Sequence, residues 1–559
     1  MKVFSTAASI GVAFKNAARV REILSAFVRH GFADLINRMH LSRLIPGRYS
    51  EDGRFRDIAV PVRLRMTFEE LGPTFVKLGQ VLAGRADLIP RPFVDEFEKL
   101  QDEVASVPPE QIKAHVEKEL GRPIGEAFSE FDTTPIAAAS IAQVHGAVLP
   151  DGRRVAVKVQ RPGIERQIQN DISILRGLAI LLERYIPESR TFNPTGLVEE
   201  FFRTILLETD FRVEANNLRR IRKNLEVLPK VAIPMVYPEL STKGLLVLER
   251  FEGIRFSDRE AVLRAGIDPV GVVETGARAF FHMVMHDGLF HGDPHAGNLF
   301  ILPDGRLGFI DFGIVGRLSR RVRDSIITIF IALIEEDFET VANEYTDLCP
   351  MTGPFDIAAL QKDLMDSISP YIGMSLGEVN IGRILLESTA IAVRHRLQVP
   401  RELMLLFKAI FTIEALGKRL EPSFDLLAVG TSLARTVVTS RYSPERVSQD
   451  LLILARDTQN VVTVFPRMLR RFLRTWSQNG FAFETRSADT RLLANSLKQF
   501  SYVFALCTVC LGLFGGAIAA LALQLQPMIL GLPIWTEIGF TIALWILGHW
   551  LWSQRRYRK

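Results

Sequence analysis

The sequence predicts an α+β fold in which strand-rich segments are followed by a long helical region. The tetrapeptide Pro-Asp-Gly-Arg occurs at 150–153 and again at 303–306, each time between two short apolar runs. A turn of that composition between apolar runs is typical of a β-hairpin. The flanking runs are 141–149, 154–160, 299–302 and 307–310. Apolar residues at helical spacing predict further helices over 320–336, 355–372, 385–395 and 404–416.

The first 66 residues predict an amphipathic helical region. Val20, Leu24, Phe27, Val28, Leu35 and Met39 recur at helical spacing. Lys15 interrupts the preceding apolar stretch, which argues against a secretory signal. The segment is basic and poor in acidic residues up to Glu22, so an organellar transit peptide stays open as an alternative.

Residues 67–100 predict helices broken at Gly72-Pro73 and at Pro90. Lys77 and Gln80 lie three positions apart and so share one face of the helix between those breaks. The alternative is that this polar face is simply solvated.

The first hairpin ends in Val-Ala-Val-Lys, and Lys158 is the lysine that in kinases reaches the nucleotide phosphates from a strand. Before this hairpin, where a kinase has a glycine-rich loop, the chain has an alanine-rich loop that we predict to cover the nucleotide. Alanine is stiffer than glycine, so nucleotide handling should differ from that of a standard kinase. The loop residues are Ala137, Ala138, Ala139, Ser140 and Ile141.

Residues 197–217 predict one helix that carries Glu208, Asp210 and Glu214. A kinase lysine needs a glutamate partner from a nearby helix, and Glu214 is the predicted partner of Lys158. Glu208 and Asp210 could be ordinary surface acids. Strands are predicted at 231–237 and 244–253, and backbone groups around Glu249 are predicted to hold adenine.

A helix over 268–286 leads into His-Gly-Asp-Pro-His-Ala-Gly-Asn at 291–298, and the second hairpin then ends at Asp-Phe-Gly, 311–313. Asp293 and Asn298 have the D-x-x-x-x-N spacing of a phosphotransfer loop. The hairpin should place Asn298 beside Asp311, and oxygen ligands of this kind suit Mg²⁺. The ordered set predicts a Mg²⁺–ATP site with Asp293 as the catalytic aspartate.

The C-terminal region predicts a membrane anchor. A basic amphipathic helix carries Arg467, Arg470, Arg471 and Arg474, although packing against its own domain is an alternative. Two apolar runs, 502–523 and about 535–552, are each long enough to span a bilayer. Basic residues lie before and after the pair but not between them, which predicts that the catalytic domain faces the cytoplasm of an inner-membrane protein. Three cysteines exclude a disulfide framework.

These motifs together resemble the UbiB family of atypical kinase-like proteins, which are linked to ubiquinone and other prenyl-lipid metabolism. The resemblance rests on Lys-Leu-Gly-Gln at 77–80, the alanine-rich loop, Leu-Glu-Thr-Asp at 207–210, the 291–298 motif and Asp-Phe-Gly. It covers about 68–316, and the paired C-terminal spans resemble those of bacterial members. Ala296 departs from the family pattern, which has proline at that position.

The resemblance implies a two-lobed kinase-like fold with a helical K-x-G-Q extension over the active site and a transmembrane hairpin at the end. It assigns Lys77 and Gln80 to that lid, pairs Lys77 with Glu208, and makes Asn298 and Asp311 the Mg²⁺ ligands. The expected parts are the N-terminal region 1–66, the extension 67–125, the N-lobe 126–253, the C-lobe 254–440, a basic juxtamembrane region 441–500 and two transmembrane helices in 501–559.

The function expected from these features is a membrane-anchored ATPase, or small-molecule or lipid kinase, that supports ubiquinone or related quinone synthesis. Membrane lipids and prenyl-quinone intermediates, and possibly quinone-biosynthesis enzymes, are the expected partners; nucleic acid is not, and the oligomeric state stays open. A scaffold that binds nucleotide and lipid without essential catalysis is the alternative. A true protein kinase is disfavoured, because the chain lacks an Ala-Pro-Glu segment after Asp-Phe-Gly and a glycine-rich loop.

Overall fold

The structure, a computed structural model, describes residues 16–45, 58–84, 89–100, 106–371 and 381–441, with scattered residues between 528 and 542. The chain divides into two compact units, 1–446 and 447–559. The kinase motifs all lie in the first unit.

The N-lobe of this unit is built on an antiparallel sheet with the strand order β1-β2-β3-β5. Its strands are β1 (Glu130–Ala138), β2 (Ala142–Val148), β3 (Arg154–Gln160) and β5 (Leu245–Glu249), so the first predicted hairpin is confirmed. Because side chains alternate along a strand, Val155, Val157 and Val159 enter one core while Lys158 faces the opposite side. The edge strand β1 was not predicted from the sequence.

Helices before the sheet form the N-terminal region and the extension. Gly31, with φ +81°, separates two short helices where the sequence predicts one amphipathic helix. The break at Gly72-Pro73 is confirmed. The helices are α1 (Ala17–Arg29), α2 (Ala33–Arg38), α3 (Val60–Leu71), α4 (Pro73–Ala83), α5 (Arg91–Phe97), α6 (Pro109–Leu120) and α7 (Ile124–Ala127).

The predicted helix 197–217 is wrong as a single element. The structure has α8 (Ile164–Tyr185), then α9 (Pro194–Glu208) and α10 (Phe211–Asn224). The side chain of Asp210 accepts a hydrogen bond from the Arg212 backbone N–H at 3.1 Å and so begins α10 as its N-cap. The side-chain amide of Gln160 on β3 donates to the Thr209 carbonyl at 3.0 Å, which fixes this junction to the sheet.

The second predicted hairpin is confirmed as β8 (Leu299–Ile301) and β9 (Leu307–Phe309). It belongs to a sheet with the order β4-β9-β8-β6, in which β4 (Val231–Ala232) is much shorter than the strand predicted over 231–237 and β6 is Ile254–Arg255. β7 (Leu289–His291) pairs with β10 (Val315–Arg317) beside it.

The C-lobe helices surround these strands. They are α11 (Arg259–Arg264), α12 (Pro269–Phe281) with a π-helical turn at His282–Asp287, α13 (Arg320–Ile334), α14 (Phe338–Leu348), α15 (Ile357–Ile368), α16 (Ile381–Arg394), α17 (Arg401–Leu420) and α18 (Leu426–Arg441). The apolar helix α17 is buried in the lobe. Leu406 and Phe407 are in the core, and the buried carboxylate of Glu414 accepts from the Gly382 backbone N–H at 2.8 Å.

Among the residues that the structure describes, none of the helices combines the length and the apolar character needed to cross a bilayer. The basic helix around Arg467–Arg474 lies outside the described residues. The two predicted spans do as well, apart from residues 538 and 541–542. In the second unit, Met528–Ile529 pairs antiparallel with Leu532–Pro533.

Candidate active site

Lys158 and Glu214 form the ion pair that the sequence predicts. The ammonium nitrogen of Lys158 lies 3.0 Å and 2.9 Å from the two carboxylate oxygens of Glu214. Lys158 comes from β3, Glu214 from the first turn of α10, and the ammonium also lies 5.5 Å from the centre of the Phe211 ring. The pair therefore ties the sheet to α10.

Asp311 is a second carboxylate at the same ammonium group, with its Oδ2 atom 3.3 Å from Lys158 Nζ. Burial lowers the pKa of Lys158, but Asp311 and then Glu214 raise it by more, so the lysine stays charged. Burial opposes ionisation of Asp311, yet Lys158 and the Gly313 N–H, 2.8 Å from Oδ1, hold the pKa of this carboxyl well below its usual value. Burial raises the pKa of Glu214 to about 7 against the attraction of Lys158.

The catalytic-loop residues lie on the other side of Asp311. The Ile310 backbone N–H donates to the Asn298 carbonyl at 3.1 Å, so the hairpin brings Asn298 next to Asp311. The side-chain amide nitrogen of Asn298 donates to the Asp293 carbonyl at 3.3 Å. Because the amide nitrogen is used in this contact, the side-chain oxygen of Asn298 is the atom left to bind a metal ion.

His291 positions the loop. Its Nδ1 atom accepts from the Asp293 backbone N–H at 3.2 Å, its ring packs 4.8 Å from the Phe312 ring, and it is 1% exposed. Burial lowers the pKa of His291 to about 4 in spite of the nearby Asp311 and Asp293 carboxylates. The imidazole is therefore neutral at physiological pH and acts as a hydrogen-bond acceptor.

Asn298 and Asp311 fit a hard divalent cation. Both supply oxygen atoms, and the Asp311 side chain keeps 39% of its surface exposed, on the open side of the site. Mg²⁺ bound there would neutralise phosphate charge. Metal binding itself stays a prediction.

The lid residues also lie together. Lys77 on α4 is 3.2 Å from the Glu208 carboxylate at the end of α9, and both side chains are almost buried, at 13% and 10% exposure. Gln80 donates to the Leu100 carbonyl at 3.3 Å. A Cβ atom on Gly79 would collide with the Leu100 side chain and lie 3.0 Å from the Phe68 ring, which explains the glycine of K-x-G-Q.

The alanine-rich loop is shorter than predicted, because Ala137 and Ala138 end β1 and only 139–141 form the turn. Ala137 pairs with Val144, and Val144 pairs with Lys158. The turn therefore begins two residues after the position on β1 that lies in line with the lysine. The Ala139 N–H already donates to the Ala142 carbonyl at 2.8 Å, and Ser140 is fully buried. Contact of this turn with nucleotide stays a prediction.

Glu249 ends β5 at the entry to the segment between the lobes, where adenine binding is predicted. Its N–H donates to the Met235 carbonyl at 2.8 Å, and its carboxylate accepts from the Met235 N–H at 3.1 Å. The next N–H, that of Arg250, donates to the Arg154 carbonyl. The Glu249 side chain therefore fixes the end of β5 to the chain at Met235.

Sequence reasoning missed two residues at the site. Asn217 on α10 is buried, donates to the Phe312 carbonyl at 3.1 Å, and accepts from Arg317 at 3.2 Å, so it holds the Asp-Phe-Gly backbone. Lys408 on α17 lies 3.9 Å from the Asp293 carboxylate. The three-residue spacing from Glu214 was a usable signal for Asn217, whereas Lys408 is 115 positions from Asp293 in the sequence.

Comparisons with known proteins give two family matches and one structural alignment. Residues 99–345 match the model of the ABC1 atypical kinase-like domain, and residues 364–425 match the UbiB helical domain. A solved chain in the complex of Rv3197 with erythromycin from Mycobacterium tuberculosis aligns with a TM-score of 0.43 and 24% identity, covering 64% of this chain and 90% of that chain.

The curated relatives named "Probable protein kinase UbiB" are more similar. The protein of Xanthomonas campestris pv. campestris strain 8004 is 34% identical over 489 residues, which cover 85% of this chain and 88% of the relative. That of Marinobacter nauticus is 35% identical over 393 residues, with coverages of 70% and 72%. That of Xylella fastidiosa strain 9a5c is 31% identical, with coverages of 87% and 90%. With its Lys158–Glu214 ion pair, its Asp-Phe-Gly hairpin and these relatives, the chain belongs to the UbiB family of atypical kinase-like proteins.

Proposed function

We propose that this protein binds Mg²⁺–ATP and releases or transfers its terminal phosphoryl group. The observation that carries the proposal is Lys158, whose ammonium group contacts Glu214 and Asp311 at the same time. That contact orients a charged lysine toward the hairpin end where Asn298 and Asp311 meet. A cation and two oxygen ligands gathered in this way suit a polyphosphate with its metal ion.

In the proposed mechanism, Lys158 binds the α- and β-phosphates, and Glu214 holds the lysine in place. Asn298 and Asp311 would hold Mg²⁺, and the ion would supply electrostatic stabilisation of the phosphates. Asp293 orients the attacking water or acceptor hydroxyl and takes its proton as the new P–O bond forms, while the bond from the terminal phosphorus to the bridging oxygen breaks and ADP leaves. Lys408 contacts the Asp293 carboxylate at 3.9 Å.

The lid favours a small acceptor or water over a protein substrate. The Lys77–Glu208 pair fixes α4 to α9, and the Gln80–Leu100 hydrogen bond fixes it to the segment that follows α5. A protein substrate would have to displace these nearly buried contacts. The Ala138-containing hairpin adds a stiffer cover than glycine would provide.

The biological role we propose is support of ubiquinone or a related prenyl-quinone pathway from the inner membrane, with membrane lipids and prenyl-quinone intermediates as ligands. This part rests on the family and on the apolar runs 502–523 and 535–552. The catalytic domain would face the cytoplasm.

The test of the chemistry is phosphate release from Mg²⁺–ATP by the lipid-reconstituted full chain. Asp311→Asn should lower release at least about 100-fold, because the side chain that contacts Lys158 and is proposed to bind Mg²⁺ loses its charge. Asp304→Asn, in the exposed turn of the same hairpin, is the matched control and should retain wild-type release. Equal release by Asp311→Asn and wild type would refute the assignment.

The test of the role is quinone profiling of a strain that lacks the protein. Wild type should restore the quinone, and Asp311→Asn and Asp293→Asn should not. Full restoration by Asp293→Asn would instead identify the protein as a nucleotide- and lipid-binding scaffold. An unchanged quinone profile in the deletion strain would refute the quinone role.

A further inference from the structure

The corner between α12 and β7 carries a cluster of potential metal ligands apart from the nucleotide site. α12 ends in the π-helical turn His282–Asp287, and Gly288, with φ +67°, reverses the chain into β7. A π-helical turn has a wider repeat than an α-helix, so positions four and five residues apart share one side. His282, His286 and Asp287 meet on that side.

The spacing of these side chains matches one coordination sphere. Nδ1 of His282 lies 3.4 Å from Oδ2 of Asp287, and Nδ1 of His286 lies 3.1 Å from Oδ1 of Asp287. One ligand atom from each residue lies within 4.8 Å of the other two. A tetrahedral ion with bonds of about 2.0–2.1 Å separates neighbouring ligand atoms by about 3.3 Å.

Two potential ligand atoms of the trio, one on Asp287 and one on His282, have no hydrogen-bond partner. Asp287 is only 8% exposed, and its Oδ2 atom is buried without a hydrogen-bond partner. Nδ1 of His282, 3.4 Å away, is buried without a hydrogen-bond partner as well. Two facing buried ligand atoms with no partner are better satisfied by a shared cation than by each other.

The surroundings hold the cluster in place and leave it accessible. Arg323 donates to the His286 carbonyl, and the Leu318 N–H donates to the Gly288 carbonyl at 2.8 Å, so the turn is fixed against α13 and the strand before it. The two imidazole rings stack at 4.7 Å with an interplanar angle of 26°. His286 is 63% exposed, which gives an ion a path from solvent.

We propose that His282, His286 and Asp287 form a structural site for a late first-row divalent cation, with Zn²⁺ as the best fit. Two imidazoles and one carboxylate suit Zn²⁺ better than Mg²⁺ or Ca²⁺, which take oxygen ligands. The bound ion pins the corner from which β7 runs to His291 and the catalytic loop. This site does not depend on the proposed ATPase activity.

An ordinary histidine–carboxylate contact is the competing explanation, and the chain contains a matched example of one. Nε2 of His395 lies 2.9 Å from Asp363 in a regular hydrogen bond, at a site without a second histidine. His395→Ala therefore removes a histidine and its carboxylate contact without touching the trio. It is the control for each variant below.

The experiment uses the full chain in lipid, freed of metal and carrying Asp311→Asn, which weakens the metal site beside the nucleotide. Zn²⁺ is titrated into this protein by isothermal calorimetry with Mg²⁺ in large excess. Co²⁺ absorption reports the coordination geometry in parallel. We expect one Zn²⁺ per chain and an intense tetrahedral Co²⁺ spectrum. His282→Ala and His286→Gln should each lower the affinity at least about 100-fold, since each removes one of three ligands.

Zn²⁺ should also raise the melting temperature of the background protein and of its His395→Ala variant, and leave that of His286→Gln unchanged. Because His286 is exposed, its substitution should not prevent folding, which far-UV circular dichroism without metal verifies. The proposal is overturned if the background protein binds no stoichiometric Zn²⁺, or if His395→Ala weakens binding as much as His286→Gln does.

Discussion

Two lysine–glutamate pairs, Lys158–Glu214 and Lys77–Glu208, lie at this site and differ in what surrounds them. Lys158 contacts both oxygens of Glu214 and also the carboxylate of Asp311, which points into the site. The Lys77–Glu208 contact, at 3.2 Å, joins a lid helix to α9. The comparison shows that one pair gathers a further carboxylate around its lysine, whereas the second pair of the same residue types joins two helices.

The largest expected effect separates the two glutamates. Glu214→Gln should lower phosphate release about 100-fold, because Lys158 then lies between one carboxylate and an amide and loses its fixed position. Glu208→Gln should change release less than about 3-fold, because the glutamine oxygen can still accept from Lys77 and the contacts of Lys158 with Glu214 and Asp311 are kept. Steady-state phosphate release on both variants measures the difference, and equal losses would show that the lid pair takes part in catalysis.

The lid packing should respond to a single methyl group. Gly79→Ala should destabilise the protein by about 1–3 kcal/mol, because the added methyl collides with Leu100 and crowds Phe68. Gly84→Ala, at the end of the same helix, meets only the Val81 carbonyl at 3.4 Å and is the control. Urea unfolding measures both, and a neutral Gly79→Ala would mean that the lid relaxes freely.

Acid should destabilise the catalytic side through His291. Its pKa is lowered to about 4 in the folded protein, below its unfolded value of 6.5, so the unfolded chain takes up the proton first as the pH falls. Stability is therefore lost between pH 6.5 and 4, and this residue accounts for about 1.3 kcal/mol of loss between pH 7.5 and 5.5.

The measurement is the pH dependence of the free energy of unfolding for wild type and His291→Asn, which keeps an acceptor for the Asp293 N–H. The variant should lose about 1.3 kcal/mol less than wild type over that interval. Parallel curves would show that His291 is not the titrating group.

The smallest expected effect lies in the hairpin above Lys158. Ala138→Gly should change ATP and ADP affinities by about 2- to 5-fold, because it adds backbone freedom at the end of β1 beside the turn. Equilibrium binding of both nucleotides measures it, with Gly125→Ala as a distant control in open space. Unchanged affinities would remove the hairpin from the nucleotide site.

The local part of the site was predictable from the sequence, and the part built by distant contacts was not. The Pro-Asp-Gly-Arg turns fix both hairpins, so Lys158, Asn298 and Asp311 follow from short-range rules. The edge strand β1 escaped notice because Pro135 interrupts its alternation, which only an edge position tolerates.

The junction after α9 was missed because helical periodicity continues through it while the Asp210 cap overrides it. The π-helical turn at His282–Asp287 interrupts a pattern that reads as ordinary α-helix in the sequence. Lys408 depends on the packing of α17, which no local pattern reveals.

The junction at Thr209–Asp210 links α9, which carries the lid contact Glu208, to α10, which carries Glu214, the partner of Lys158. Glu208 precedes it by one residue, Glu214 follows within one turn, and Gln160 ties it to the strand that holds Lys158. A displacement of α9 that separates Lys77 from Glu208 must also pull on α10 and on β3. Under the proposed function, we therefore expect opening of the lid over the nucleotide to loosen Lys158 at the same time.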